Sequence, residues 1–116
     1  MVTLAMLRKL ALSFPEATEE PHFEKTSFRV KKKIFATYDA NNRRACIKLS
    51  ETDQDVFSKM SKRSIYPLDN KWGKQGWTLI EMPKVNKDMF NDAIITAYCE
   101  VAPSMLADQV RASYGL

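Results

Sequence analysis

Glycine is scarce in this sequence, with three among 116 residues, and there are only two cysteines and a single histidine. So little glycine excludes a collagen-like or glycine-rich linker chain. Cys46 and Cys99 have the spacing of neither a disulfide framework nor a metal knuckle. They read as two small buried or half-buried residues in a reducing compartment. No apolar run approaches the roughly 20 residues needed to span a bilayer. Residues 1–13 also lack the apolar core and small-residue cleavage site of a signal peptide, so no membrane contact and a cytoplasmic location are expected.

Chemistry is thinly provided for as well. No glycine-rich phosphate loop, Ser/His/Asp order or Cys/His metal spacing occurs. His22 stands beside Pro21 with Glu19 and Glu20 close in sequence, and an acid/base pair there requires the segment to fold into a pocket. Packing or hydrogen bonding beside Phe23 is the simpler reading. The acids Glu16, Glu19, Glu20 and Glu24 fall in or beside a proline-flanked segment and not on a helical face, and the chain is net basic. Neither catalysis, a metal nor a cofactor is expected.

What is present is an ordinary globular composition, 45% hydrophobic and 28% charged, at a length that suits one domain, 1–116. The formal charge is +4 and the pI about 9.1. That charge is unevenly placed. Between Thr26 and Lys48 seven basic residues (Arg29, Lys31, Lys32, Lys33, Arg43, Arg44, Lys48) face one acid, Asp39. Between Lys62 and Ile80 four (Lys62, Arg63, Lys71, Lys74) face Asp69. Such polarity favours an anionic partner on one face, against the plainer reading of a solvated basic surface.

Periodicity orders the elements. Leu4, Leu7, Leu10 and Ala11 repeat as on an amphipathic helix that Thr3 caps and Pro15 stops. The stretch "PEATEEPHFEK" has two prolines and no period, and is expected to be a connection. Three β-prone segments follow at 26–30, 34–39 and 44–49, with Phe28 and Val30 on one face, and likewise Ile34, Ala36 and Tyr38, then Ala45, Ile47 and Leu49. The intervening "KKK" and "ANNR" have the length of hairpin turns, so the three form an antiparallel meander. Ser50 caps a short helix over 50–60. "RSIYPL" suits a short strand and "GWTLIEM" a better one, in which Trp77, Leu79 and Glu81 alternate with Thr78, Ile80 and Met82. Asn86 opens a helix to residue 102, and Ser104 is expected to cap a last one. The expected core joins Phe28, Val30, Ile34 or Phe35, Ile47, Leu79, Phe90, Ile94 and Tyr98. Helices flanking a run of strands indicate an α+β domain of two layers.

The segments "LALSFPEATEEPHFEKTSFRVKKKIFATY", "YPLDNKWGKQGWTLIEM" and "AYCEVAPSMLADQV", in this order, resemble the MmcQ/YjbR-like family of small bacterial proteins over about Leu7 to Val110. The resemblance implies a fold like that of the bacterial frataxin homologue CyaY, with helices packed on a curved antiparallel sheet. It also implies DNA binding through two β-hairpins acting as a double wing. Relatives often carry glycine where this chain has Glu24 and Lys32, which sets the tight positive-φ geometry of the first turn in question.

Arg29, Lys31, Lys32 and Lys33 would then form a cationic hairpin tip for phosphates, with Arg43 and Arg44 at the next turn, at the opposite end of a simple meander. Lys71, Trp72 and Lys74 belong to "NKWGKQGW", where Gly73 and Gly76 supply turn flexibility. Trp72 is either presented to stack on a base or, with Trp77, closes the open side of the sheet. The expected function is weak, largely sequence-independent DNA binding by a monomer. The alternative is a non-catalytic module holding a protein partner or a small anionic ligand in the groove between helices and sheet.

Overall fold

The computed structural model describes residues 1–116. Its elements run α1 (Leu4–Leu12), β1 (Ala17–His22), β2 (Lys25–Val30), β3 (Lys33–Asp39), β4 (Arg44–Lys48), α2 (Glu51–Met60), β5 (Ile65–Pro67), α3 (Lys71–Lys74), β6 (Trp77–Glu81), α4 (Lys87–Val101) and α5 (Ser104–Ser113). The six strands make one antiparallel sheet in the order β1-β2-β3-β4-β6-β5. α4 packs across β3 and β4, α1 rests on β1 and α4, α2 on β5, and α5 on α4. The result is the α+β architecture that the element order implies.

The helix caps follow the sequence. The Thr3 side chain accepts a hydrogen bond from the Met6 amide, Ser50 from Asp53, and Asn86 from Asp88 and Met89. At α5 the cap is Pro103, which has no side-chain hydrogen bond to offer, and Ser104 is instead the first helical residue. Pro103 still contributes its carbonyl, which accepts from the Ala107 amide at 3.0 Å.

Two further expectations are corrected. The proline-containing stretch after α1 is largely a strand, β1, paired with β2 from Ala17 opposite Val30 to His22 opposite Lys25. A proline within a strand argues against a central position, but β1 is an edge, where the missing N–H breaks no second ladder. The other edge, β5, also ends in a proline, Pro67.

The second correction concerns the face of β3. Phe28 lies opposite Ala36 while Arg29 lies opposite Ile34, so β3 carries one extra residue, Phe35, in a bulge. Phe35 and Ala36 are both buried, and Ile34 turns to the other face. Strict alternation would have buried Ile34 and left the phenylalanine ring outside. The bulge reverses that choice and removes the larger apolar surface from water. Leu79 likewise belongs to the outer face, because Thr78, Ile80 and Met82 are the buried set of β6 and its continuation.

The remaining expected core residues, Phe28, Val30, Ile47, Phe90, Ile94 and Tyr98, are fully buried between α4 and the sheet. Tyr98 is central to them. Its ring lies 4.7 Å from that of Phe14 and 5.4 Å, edge-on, from that of Phe35, and its hydroxyl donates to the Pro15 carbonyl at 2.7 Å. One side chain thus ties α4, β3 and the end of α1 together.

Truncating Ile94 to alanine is expected to cost about 2–5 kcal/mol in urea unfolding, as for other fully buried large-to-small changes. A second expectation concerns alkaline pH. Burial pushes the Tyr98 phenol up to about 12 from an ordinary 10.0, so the unfolded chain releases this proton before the folded protein does. The stability tied to the neutral phenol is present below pH 10 and is lost as the pH rises toward 12. Tyr98→Phe should flatten that part of the pH–stability profile while lowering neutral stability by about 0.5–1.5 kcal/mol for the lost hydrogen bond.

Candidate functional site

The β2–β3 hairpin closes with Val30 opposite Lys33, leaving Lys31 and Lys32 as a two-residue turn. Both have positive φ, 50° and 70°, the mirror-image turn that matches strand twist and ordinarily selects glycine or asparagine. The tight geometry is therefore kept without glycine, and two lysines carry the strain. Lys31 is drawn back toward the body by an ion pair with Glu16 at 2.6 Å. Lys32 and Lys33 are exposed and make no ion pair.

Next to this turn lies a cleft of about 520 Å³ whose walls include Arg29, Lys32, Lys33, Lys48, Trp77 and Glu100. Arg29 is held in place: its Nε donates to Ser27 Oγ at 2.9 Å, with Glu20 further off at 3.9 Å. Lys48 faces Trp77 across β4 and β6, and its ammonium donates to the Leu49 carbonyl at 3.3 Å. The structure thus brings Arg29, Lys32 and Lys33 together and adds Lys48, which sequence reasoning counted as charge but did not place. The β3–β4 pairing, with Ile47 opposite Ala36, brings Lys48 to this end of the sheet, and the pairing of β4 with β6 sets Trp77 opposite it.

The "NKWGKQGW" segment folds as a single helical turn, α3, followed by a sharp return into β6. The Asn70 side chain accepts from the amides of Trp72 and Gly73. Both glycines are required by close backbone approach. A Cβ on Gly73 would stand 1.8 Å from the Leu68 carbonyl oxygen, and one on Gly76, whose φ is +106°, 1.8 Å from that of Leu49. The buried Gln54 amide of α2 donates to the Gly73 carbonyl at 2.8 Å and lies 3.1 Å from Thr78 Oγ, which itself donates to Gly76. This network anchors the turn from beneath and leaves Trp72 48% exposed.

Lys71 places its ammonium 5.2 Å from the Trp72 ring. With Lys74 it borders a separate depression beside Asp69 and Asn70. Trp72 and Trp77 both line a second cleft of about 410 Å³ on the outer face of the sheet. They thus flank the open side, as one of the two sequence readings has it, while Trp72 stays half exposed.

Arg43 and Arg44 lie at the far end of the sheet, as consecutive hairpins require. Arg44 Nε bonds Glu81 at 3.1 Å, and the Tyr66 hydroxyl donates to the same carboxylate. Tyr66 first and Arg44 next hold that carboxyl below its usual range. The two acids near His22 are engaged elsewhere, Glu19 with Arg8 at 2.7 Å and Glu20 with the Thr18 hydroxyl, which donates to it at 3.0 Å. His22 itself packs edge-on to Phe23, 5.0 Å between ring centroids. Burial pushes the Cys46 thiol up to about 11, so at neutral pH it is protonated and a poor nucleophile.

A family model for YjbR matches residues 12–116. The chain belongs to the YjbR family. Among solved structures, the crystal structure of Deinococcus radiodurans protein DR2400, of domain family DUF419, superposes on this YjbR protein with a TM-score of 0.76 at 21% identity, over 100% of this chain and 90% of that one. At that identity the likeness is one of fold. No curated protein matches the chain. No helix of this YjbR protein is long and apolar enough to cross a membrane.

The turn geometry generates a test. Lys32→Gly relieves a left-handed lysine and is expected to raise stability by about 0.5–1 kcal/mol, the steric gain being partly offset by glycine's greater freedom when unfolded. An unchanged or lowered midpoint in urea would show that the turn carries no such strain.

Proposed function

We propose that this YjbR protein binds nucleic acid weakly and largely without regard to sequence, holding phosphates at the β2–β3 end of the sheet. The observation that supports this best is the pair of lysines kept in a left-handed turn beside the cleft bordered by Arg29, Lys33 and Lys48. Backbone strain of this kind concentrates where a surface does work. A glycine turn would be easier to form but would present no charge. Lys32, Lys33 and Lys48 supply compact point charges, and Arg29, fixed by Ser27, a directed fork. The role is non-catalytic, with positioning by phosphate contacts and no reading of base edges.

The cleft volume also suits a small anion. That second reading is separated by competition: pyrophosphate at low millimolar concentration would displace a single-site anion, whereas an extended polyanion is released mainly by raising salt.

Three to five phosphate contacts predict a slope of about −3 to −4.5 for log K against log salt with duplex DNA, and a Kd of order 10⁻⁴–10⁻⁶ M at physiological ionic strength. Fluorescence anisotropy with a labelled duplex measures both. The double variant Lys32→Glu with Lys33→Glu should lose binding while keeping its circular dichroism spectrum. The pair Lys84→Glu with Lys87→Glu, which follows β6 beyond Glu81 at the far end, should change it little. Absence of a salt-sensitive signal in the parent protein, or a tip variant that binds as well as the parent, would overturn the reading.

A further inference from the structure

The cationic cleft and the apolar cleft are not separate features, since Ile34 and Trp77 line both. One trough therefore runs from Lys32, Lys33 and Lys48 across these two side chains onto a floor that includes Thr37, Cys46 and Leu79, with Trp72 as the far wall. Its outer flank carries His22 and Lys25. The register explains the floor: Thr37 lies opposite Cys46 and Cys46 opposite Leu79, one outward-facing row across β3, β4 and β6. The β3 bulge turns Ile34, further along the strand and opposite Arg29, to the same outer face.

The chemistry of the trough restricts its occupant. At one end Arg29, Lys32, Lys33 and Lys48 outnumber Glu100 and select an anion, while two indoles, Leu79 and Ile34 select something flat and apolar attached to it. A peptide adding itself as a strand is disfavoured, because both sheet edges, β1 and β5, contain proline. Duplex DNA presents phosphates but keeps its bases stacked inside. An unpaired strand presents both, with phosphate and base alternating along one chain, and base–aromatic stacking stabilises such complexes by about 1–3 kcal/mol per base.

We infer that the outer face of the sheet binds single-stranded nucleic acid, its phosphates at Lys32, Lys33 and Lys48 and an unpaired base against Trp72 and the apolar floor. This deepens the phosphate-binding reading and rests on it. Trp72 is prepared for the role. The Gln54 network holds the turn that carries it, and the Lys71 ammonium stands over its ring, 5.2 Å from the centroid, so a cation lies close to the indole. Stacking against a side chain carried on an anchored turn avoids part of the ordering loss that weakens binding to mobile surfaces.

The test compares a short labelled oligothymidylate, an oligouridylate and a duplex of equal length, by anisotropy and by quenching of intrinsic tryptophan fluorescence. The parent protein is expected to bind at least one of the single strands about tenfold more tightly than the duplex, with quenching by the single strand alone. The two single-strand arms decide between DNA and RNA. Trp72→Ala should remove that preference and most of the quenching while leaving duplex affinity within about twofold. Trp72→Phe, which keeps an aromatic face and the fold, should retain part of it. Equal affinity for single strand and duplex, or a preference untouched by Trp72→Ala, overturns the inference and leaves the phosphate reading standing. Failure of every probe to bind at low salt overturns both.

Discussion

The structure depends on one packing contact, the burial of α4 against a single face of the sheet. Phe90, Ile94 and Tyr98 meet Phe28, Phe35 and Ile47 with no exposed surface left on any of them. A sheet covered on one side turns its other side outward, so every second residue of β2, β4 and β6, and Ile34 and Thr37 on either side of the β3 bulge, is committed to that outer face. The position of the clefts follows from this commitment. Nothing in the core recognises a ligand, but the core decides which side chains remain available to do so.

The second determinant is the anchoring of the α3 turn. A four-residue helical turn has little stability of its own. It is held by an Asn70 cap, by two glycines that allow carbonyls of neighbouring segments to approach, and by a buried glutamine amide reaching up from α2. Gln54 is a polar group in a site that would ordinarily take an apolar one, and its hydrogen bonds to Gly73 and Thr78 offset the desolvation. The backbone that carries Trp72 is thereby anchored while its ring remains half exposed.

Much of this was legible in the sequence. The helix periods, the Ser50 and Asn86 caps, the alternation in β4 and the α4 stripe all depend on local patterns, and local patterns were enough. The β1 strand was hidden because Pro21 signals a loop unless the strand is known to be an edge, which is a tertiary fact. The Phe35 bulge was hidden for a related reason, since period-2 reading assumes an unbroken ladder. Of the candidate site, the lysine tip was visible as composition. The company it keeps was not, because Lys48 joins Trp77 only once β6 has inserted between β4 and β5. Arg43 and Arg44 show the converse, neighbours of the tip in sequence that the meander carries to the opposite end.

The bulge in β3 has a consequence for how this chain tolerates change. A strand is read in steps of two, and Phe35 inserts an odd step, so the residues before it and after it are in different frames with respect to the core. Deleting Phe35 would restore a single frame with Ala36 still inward and Ile34 still outward opposite Arg29, so the apolar bridge between the two clefts would stay while the core lost an aromatic ring. The odd step thus lets β3 hand two successive side chains to the interior without disturbing the order of its outer face, so a single-codon deletion at this point would be felt as a hole beside Tyr98 and hardly at all on the surface.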